Sequence, residues 1–178
     1  MSSTDDPSQG DPSQSEPSQA EALLKDLDPE TRESGLFLDQ HGRWHHEGTP
    51  VTHERLHRAL TRWLERDPDT GRFRIRLGPD WWAWVEVEDA PFQAHLTGLT
   101  GEGLLIRLSS DRELVFSGPS LLIGANDAWY LPLGEPGLVA RLSRGAMVAL
   151  ADHLVEDPQE PLGVALVLSS GRRVGFAT

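Results

Sequence analysis

Asp67-Pro68 recurs as Asp157-Pro158, and the residues ahead of each pair recur with it: Leu60 falls on Leu150 and Leu64 on Leu154. In the first copy Leu56, Ala59, Leu60, Trp63 and Leu64 lie on one face at helical spacing. Thr52 is the expected N-cap there and Ser143 the expected entry to the second helix. The first helix is expected to stop at Asp67-Pro68, because the residue before a proline is pushed out of the helical region. Strand patterns follow both helices: Arg72 to Leu77 alternates strictly in the first copy, and residues 163 to 168 and 172 to 177 read as two strands joined by Ser169-Ser170-Gly171 in the second. A strand-strand-helix-strand unit is therefore expected twice. The fold class this predicts is α+β, with two similar lobes, each of antiparallel strands and one helix, around a central antiparallel meander. The lobes are expected over 35–95 and 96–178.

Residues 1–34 are a different kind of sequence. Asp6-Pro7-Ser8-Gln9 is followed by Asp11-Pro12-Ser13-Gln14 and Glu16-Pro17-Ser18-Gln19. A polar repeat punctuated by proline cannot bury enough apolar surface to offset chain entropy, so a disordered acidic tail is expected, with one short amphipathic turn around Leu23, Leu24 and Leu27. Nine acidic side chains stand against Lys25 and Arg32 in this stretch, a net of −7 out of the chain's −12, which leaves −5 for the body. That balance argues against a broad nucleic-acid-binding surface, which needs a basic excess. There is no cysteine, so disulfides, thiolate metal sites and cysteine nucleophiles are excluded. No apolar run reaches the length of a membrane span and the start lacks a signal-peptide pattern, so a soluble, cytoplasmic protein is expected.

Few motifs carry chemistry. His53-Glu54-Arg55-Leu56-His57 fits the H-E-x-x-H pattern, in which two imidazoles one helical turn apart hold zinc while a glutamate polarises water. Against it, His53 falls at the very start of the helix, His57 lies at the margin of the buried stripe, and no third ligand is evident. A metal-dependent hydrolase using His53, Glu54 and His57 is the alternative reading. The chain has no nucleophile elbow, P-loop or dinucleotide fingerprint, so no cofactor is expected. Arg55, Arg58, Arg62 and Arg66 follow helical spacing, and Arg72, Arg74 and Arg76 share one strand face; together they could recognise a phosphate or an acidic peptide, against the plainer reading of a solvated face interleaved with Glu54, Glu65 and Asp67. In Trp81 to Glu88, period-two geometry puts Trp82, Trp84, Glu86 and Glu88 on one face. That face suits a cationic or amphipathic ligand, or simply covers arginine stems from the next strand.

The run Val87-Glu88-Asp89-Ala90-Pro91-Phe92 resembles the signature of a bacterial family known only as domain of unknown function number twelve-eighty-five. Gly42-Arg43-Trp44 with Gly48-Thr49-Pro50-Val51 is similar to that family's opening hairpin, and Arg66-Asp67 with Gly71 and Phe73 to its helix exit. Gly134-Glu135-Pro136, Arg144 with Ala149-Leu150, and Gly163 with Ser169-Gly171 continue the likeness, which spans about residues 35 to 178. The resemblance implies a cytoplasmic bacterial protein with repeated α+β motifs, a groove between two halves, and a signalling or ligand-binding role. The chain departs from the family where His53 replaces arginine, His57 an apolar residue and Val148 glutamate, and where Asp152-His153-Leu154 replaces an arginine-proline-aromatic stretch. Physically, Ala90-Pro91 ends a strand because proline cannot donate to the ladder. Glu88 and Asp89 are then expected at a bend where the lobes meet, either contacting a ligand or, alternatively, with Asp89 capping the turn and Glu88 paired with an arginine such as Arg144. The function expected is a ligand-binding or regulatory module, its groove lined by Trp44, Trp84, Glu88, Asp89 and Arg144. Its expected partner is a small molecule or peptide, not nucleic acid or membrane. A structural interaction module is the remaining alternative.

Overall fold

Leu64 leaves the first helix in extended conformation, at φ −71° and ψ 122°, and its side chain is buried opposite Ile75 of a neighbouring strand. That departure shapes the first half of the computed structural model, which describes residues 30–124 and 127–177. The strands are β1 (Glu33–Leu38), β2 (Trp44–His46) and β3 (Thr49–Pro50), then helix α1 (Glu54–Trp63), then β4 (Leu64–Arg66), β5 (Phe73–Arg76) and β6 (Trp82–Val87). They form a six-stranded sheet in the order β3-β2-β1-β6-β5-β4. Every neighbouring pair is antiparallel except the central one, β1 with β6.

The rest of the chain builds β7 (Phe92–Leu99), β8 (Leu104–Leu108), β9 (Glu113–Phe116), β10 (Ser120–Ile123), β11 (Trp129–Pro132), β12 (Val139–Leu142), helix α2 (Arg144–Ala151), β13 (Leu154–Glu156), β14 (Val164–Val167) and β15 (Arg173–Ala177). The nine-stranded sheet runs β13-β14-β15-β10-β11-β12-β7-β8-β9. Without β7–β9 its order, read backwards, is β12-β11-β10-β15-β14-β13, the order of the first sheet. Both copies are thus a three-strand meander, a helix and a second three-strand meander, closed by a parallel pair between first and last strands. Such a pair needs a long crossover, which the helix and its meander supply.

The expectation of purely antiparallel lobes around a central meander is corrected here. The α+β class holds, but β1 with β6, β10 with β15 and β12 with β7 are parallel, so both sheets are mixed. The meander β7–β9 does not stand between the copies; it extends the β12 edge of the second sheet, and residues 95 and 96 both lie within β7.

Two helix limits also differ. His53, not Thr52, caps α1, its Nδ1 accepting the Leu56 N–H at 3.3 Å. The helix ends at Trp63, ahead of Asp67-Pro68, and the pair marks a tight turn after a strand. There the Asp67 carboxylate accepts the N–H groups of Asp69 and Thr70 and the Thr70 hydroxyl, an Asx turn. Asp157 repeats the arrangement with the Gln159 N–H, and both aspartates are 6% exposed. Ser143 caps α2 as expected, accepting the Ala146 N–H at 3.2 Å.

One hydrophobic core joins the copies: Leu36, Trp44, Leu60 and Ile75 of the first belong to the same cluster as Leu121, Leu131, Leu150 and Phe176 of the second. Among the described residues no helix is long and apolar enough to cross a membrane. The acidic repeat and the leucines at 23, 24 and 27 lie outside the described residues.

Candidate functional site

The copies meet at the ends of their turns, and the side chain that clasps them is Arg66 at the end of β4. Its Nε donates to the Gly71 carbonyl at 3.1 Å within the first copy, and its Nη1 donates to the Pro136 carbonyl at 2.7 Å in the β11–β12 turn of the second. Gly71 makes this possible. Its φ is +73°, and a Cβ there would stand 2.8 Å from Arg66 Nη2. Gly71→Ala therefore combines a left-handed backbone with a displaced guanidinium and is expected to cost about 2 kcal/mol by urea denaturation. A loss under about 0.5 kcal/mol would show that the clasp does not hold the turns.

Beside the clasp is a cleft of about 250 Å³. Leu64 and Phe73 of the first copy, Phe92 of β7 and Leu138 of the β11–β12 turn form its apolar floor; Glu65, Arg66, Arg112 and Glu135 supply its charge. Glu65 is committed elsewhere, with Arg74 Nε at 2.6 Å and Arg76 Nη1 at 3.6 Å. Arg112 and Glu135 are exposed. A further ion pair, Arg62 with Asp111 at 3.1 Å, ties α1 to the β8–β9 turn.

The residues expected to line a groove do not gather. Trp44 is fully buried, its Nε1–H donating to Thr61 Oγ1 at 2.9 Å, and is a core residue. Trp84 lies half-buried on the outer face of the first sheet, 4.9 Å from Trp82 edge-on, with the Arg72 guanidinium 4.5 Å above its ring. Arg32 and Arg74 flank Trp82 in the same way, so this face covers arginine stems. Glu88 is exposed and accepts the Gln40 N–H at 2.8 Å. Arg144 is exposed at the first position of α2.

Asp89 does sit where the copies meet, but its carboxylate is occupied by the protein. It accepts the Tyr130 hydroxyl at 2.7 Å and Arg141 Nη1 at 2.8 Å. Burial, then the hydrogen bond to Asp89 and its negative charge, push the Tyr130 phenol above its ordinary value, while the Arg141 charge works the other way.

The zinc-like residues are likewise engaged one by one. His53 caps the helix, Glu54 pairs with Arg58 one turn on, and His57 Nε2–H donates to the Gly42 carbonyl at 3.0 Å. Among the described residues no three His, Cys, Asp or Glu side chains are grouped to hold a metal.

Of the cleft residues, Phe73, Phe92, Arg112, Glu135 and Leu138 were not expected as a site, and Arg66 only as one of a row of arginines. The signal available was indirect: Arg66, Phe73, Phe92 and Glu135 all fall within the runs that resemble the family.

A three-strand, one-helix, three-strand unit used twice, with a cleft where the copies meet, defines the class of fold. The chain's fold is similar to that in a crystal structure of a DUF1285 family protein from Silicibacter pomeroyi DSS-3, with a TM-score of 0.60, 22% identity, and 80% of this chain and 78% of that chain covered. A second DUF1285 family structure, from Shewanella baltica OS155, matches 66% of this chain and 91% of its own at 21% identity and a TM-score of 0.49. This is the same family that the Val87 to Phe92 run resembles. No family model matches the sequence, and no curated protein does.

Proposed function

We propose that the chain is a cytoplasmic ligand-binding module with a regulatory role, and that its ligand occupies the cleft beside Arg66. The observation that carries this reading is the origin of the cleft walls: β4 and β5 come from one copy of the unit, the β11–β12 turn from the other. A molecule held there touches both, so its binding energy bears on how the two copies are held together, which is what a signalling module requires. Clefts where repeated or separate units meet are the usual place for small-molecule sites. Binding rather than catalysis fits a site whose carboxylates and arginines are not accompanied by a nucleophile or by a paired acid and base.

Native mass spectrometry of protein equilibrated with a small-molecule extract tests this. A discrete small adduct is expected, and it should vanish in Leu138→Trp, whose indole fills the cleft. An adduct that persists in that variant, or a protein that ionises only at its bare mass, would overturn the reading.

A further inference from the structure

The charge around the cleft points to the chemistry of its occupant. Two of the four charged groups are positive and unneutralised. Arg66 is bonded to carbonyl oxygens alone, those of Gly71 and Pro136, and no carboxylate lies within ion-pair distance of it among the described residues. Arg112 likewise has no carboxylate partner there. Of the two negative groups, Glu65 is already paired with Arg74 and Arg76, which leaves Glu135 as the single open carboxylate. The cleft therefore carries an excess of one positive charge. Two carbonyls hold the Arg66 head in place, which reduces the side-chain entropy lost on binding. Beneath it the floor is apolar: Leu64, Phe92 and Leu138 are almost fully buried and Phe73 half-buried.

We infer that the cleft takes a small organic monocarboxylate, an acid on an aromatic or branched apolar body, with the carboxylate toward Arg66 and Arg112 and the body on the two phenylalanines. The inference rests on the reading of the cleft as a ligand site. An arginine fork matches the geometry of a carboxylate. Size limits the body: about 250 Å³ falls below the range of sites for drug-sized ligands. Charge limits the head, since a second carboxylate would face Glu135 across the same small space and be repelled. The ligand is therefore a monoanion, not a dicarboxylate or phosphate ester.

Three probes with one apolar body separate these statements: 3-phenylpropionate, 3-phenylpropanol and benzylmalonate carry one, no and two carboxylates. Each is titrated into the full chain labelled with nitrogen-15, and the backbone amide resonances are followed by NMR. 3-Phenylpropionate should move the amides of residues 71–73, Glu135, Gly137 and Leu138 together, and bind at least tenfold more tightly than either relative. In Arg112→Gln, an exposed position where folding is unaffected, the preference for the acid over the alcohol should fall at least fivefold. Equal binding of the alcohol at the same amides would overturn the monocarboxylate inference while leaving the cleft a ligand site. Tighter binding of benzylmalonate, or an unchanged preference in Arg112→Gln, would also overturn it. If no probe moves those amides the inference fails, and the adduct experiment with Leu138→Trp decides separately whether the cleft binds anything else.

Discussion

Trp44→Ala should lower the stability of the folded chain by about 4 kcal/mol, the range for removing a large aromatic from a packed core. The indole is fully buried at the start of β2, within the cluster shared by both copies, and no neighbouring side chain can collapse into a space that large without moving the β1–β2 hairpin. Part of the loss is polar. Nε1–H donates to Thr61 Oγ1, and the Thr61 hydroxyl donates in turn to the His57 carbonyl, so the indole also anchors the middle of α1 to the hairpin. Trp44→Phe keeps most of the volume and removes that anchor; it should cost about 1.5 kcal/mol. Thr61→Val leaves a buried N–H without an acceptor and should cost about 2 kcal/mol. Urea denaturation checks all three, through the midpoint with the slope unchanged. A Trp44→Ala loss under about 1 kcal/mol would return Trp44 to a surface groove.

Trp44 illustrates what the linear chain conceals. In Gly42-Arg43-Trp44-His45-His46 nothing distinguishes a tryptophan that faces a ligand from one that faces the core, because the strand has only three residues and no alternation to read. The same shortness hid β3, β4 and β13, of two or three residues each. The repeat was legible in part because some of its marks are local: the buried leucine stripe, the Ser143 cap and the paired Asp-Pro positions each stand within a few residues. The Asp-Pro pairs nevertheless read as helix stops, and the expected strand-strand-helix-strand unit is three strands, a helix and three strands. Parallel pairing is not local. Glu33 of β1 lies beside Trp84 of β6, and nothing in either segment names the other. His53 hid the start of α1 for a different reason, since histidine is an uncommon cap and Thr52 beside it a favoured one.

The cleft was hidden by the likeness of its arginines to all the others. Arg66 continues the helical row of Arg55, Arg58 and Arg62, and Arg74 and Arg76 form a similar row on β5. What separates them is who sits opposite. Arg74 meets Glu65 and Asp67 at 2.6 and 2.5 Å and is neutralised, whereas Arg66 meets only carbonyl oxygens. That difference arises because Leu64 leaves the helix early and turns Arg66 toward the β11–β12 turn, a packing event seventy residues away in the chain.

Asp89→Asn is expected to cost about 2 kcal/mol and to lower the pH at which the only tyrosine of the chain ionises. The carboxylate and the Arg141 guanidinium are each about one-fifth exposed, at 22% and 23%, so the pair lies between two regimes. Breaking a fully buried pair costs several kcal/mol because a charge is left uncompensated, whereas an exposed pair contributes little. In the variant a single amide oxygen remains to accept from either Tyr130 or Arg141, the ion pair with Arg141 is gone, and the tie between the corner after β6 and strands β11 and β12 is weakened. A melting temperature about 6 °C lower follows for a chain of this size. Tyr130 provides a second readout that general loosening would not reproduce. Asp89 raises its ionisation point both by accepting the hydroxyl proton's hydrogen bond and by repelling the phenolate, while Arg141 lowers it. With the negative charge gone and the positive one left in place, the phenol must ionise at lower pH, and a spectrophotometric titration of the folded variant measures this free of any other tyrosine. If Asp89 instead served a ligand and held nothing internal, both the stability and the titration of Tyr130 would be unchanged in the ligand-free protein. A ligand-free Asp89→Asn variant that melts within about 1 °C of the parent and titrates at the same pH would establish that role.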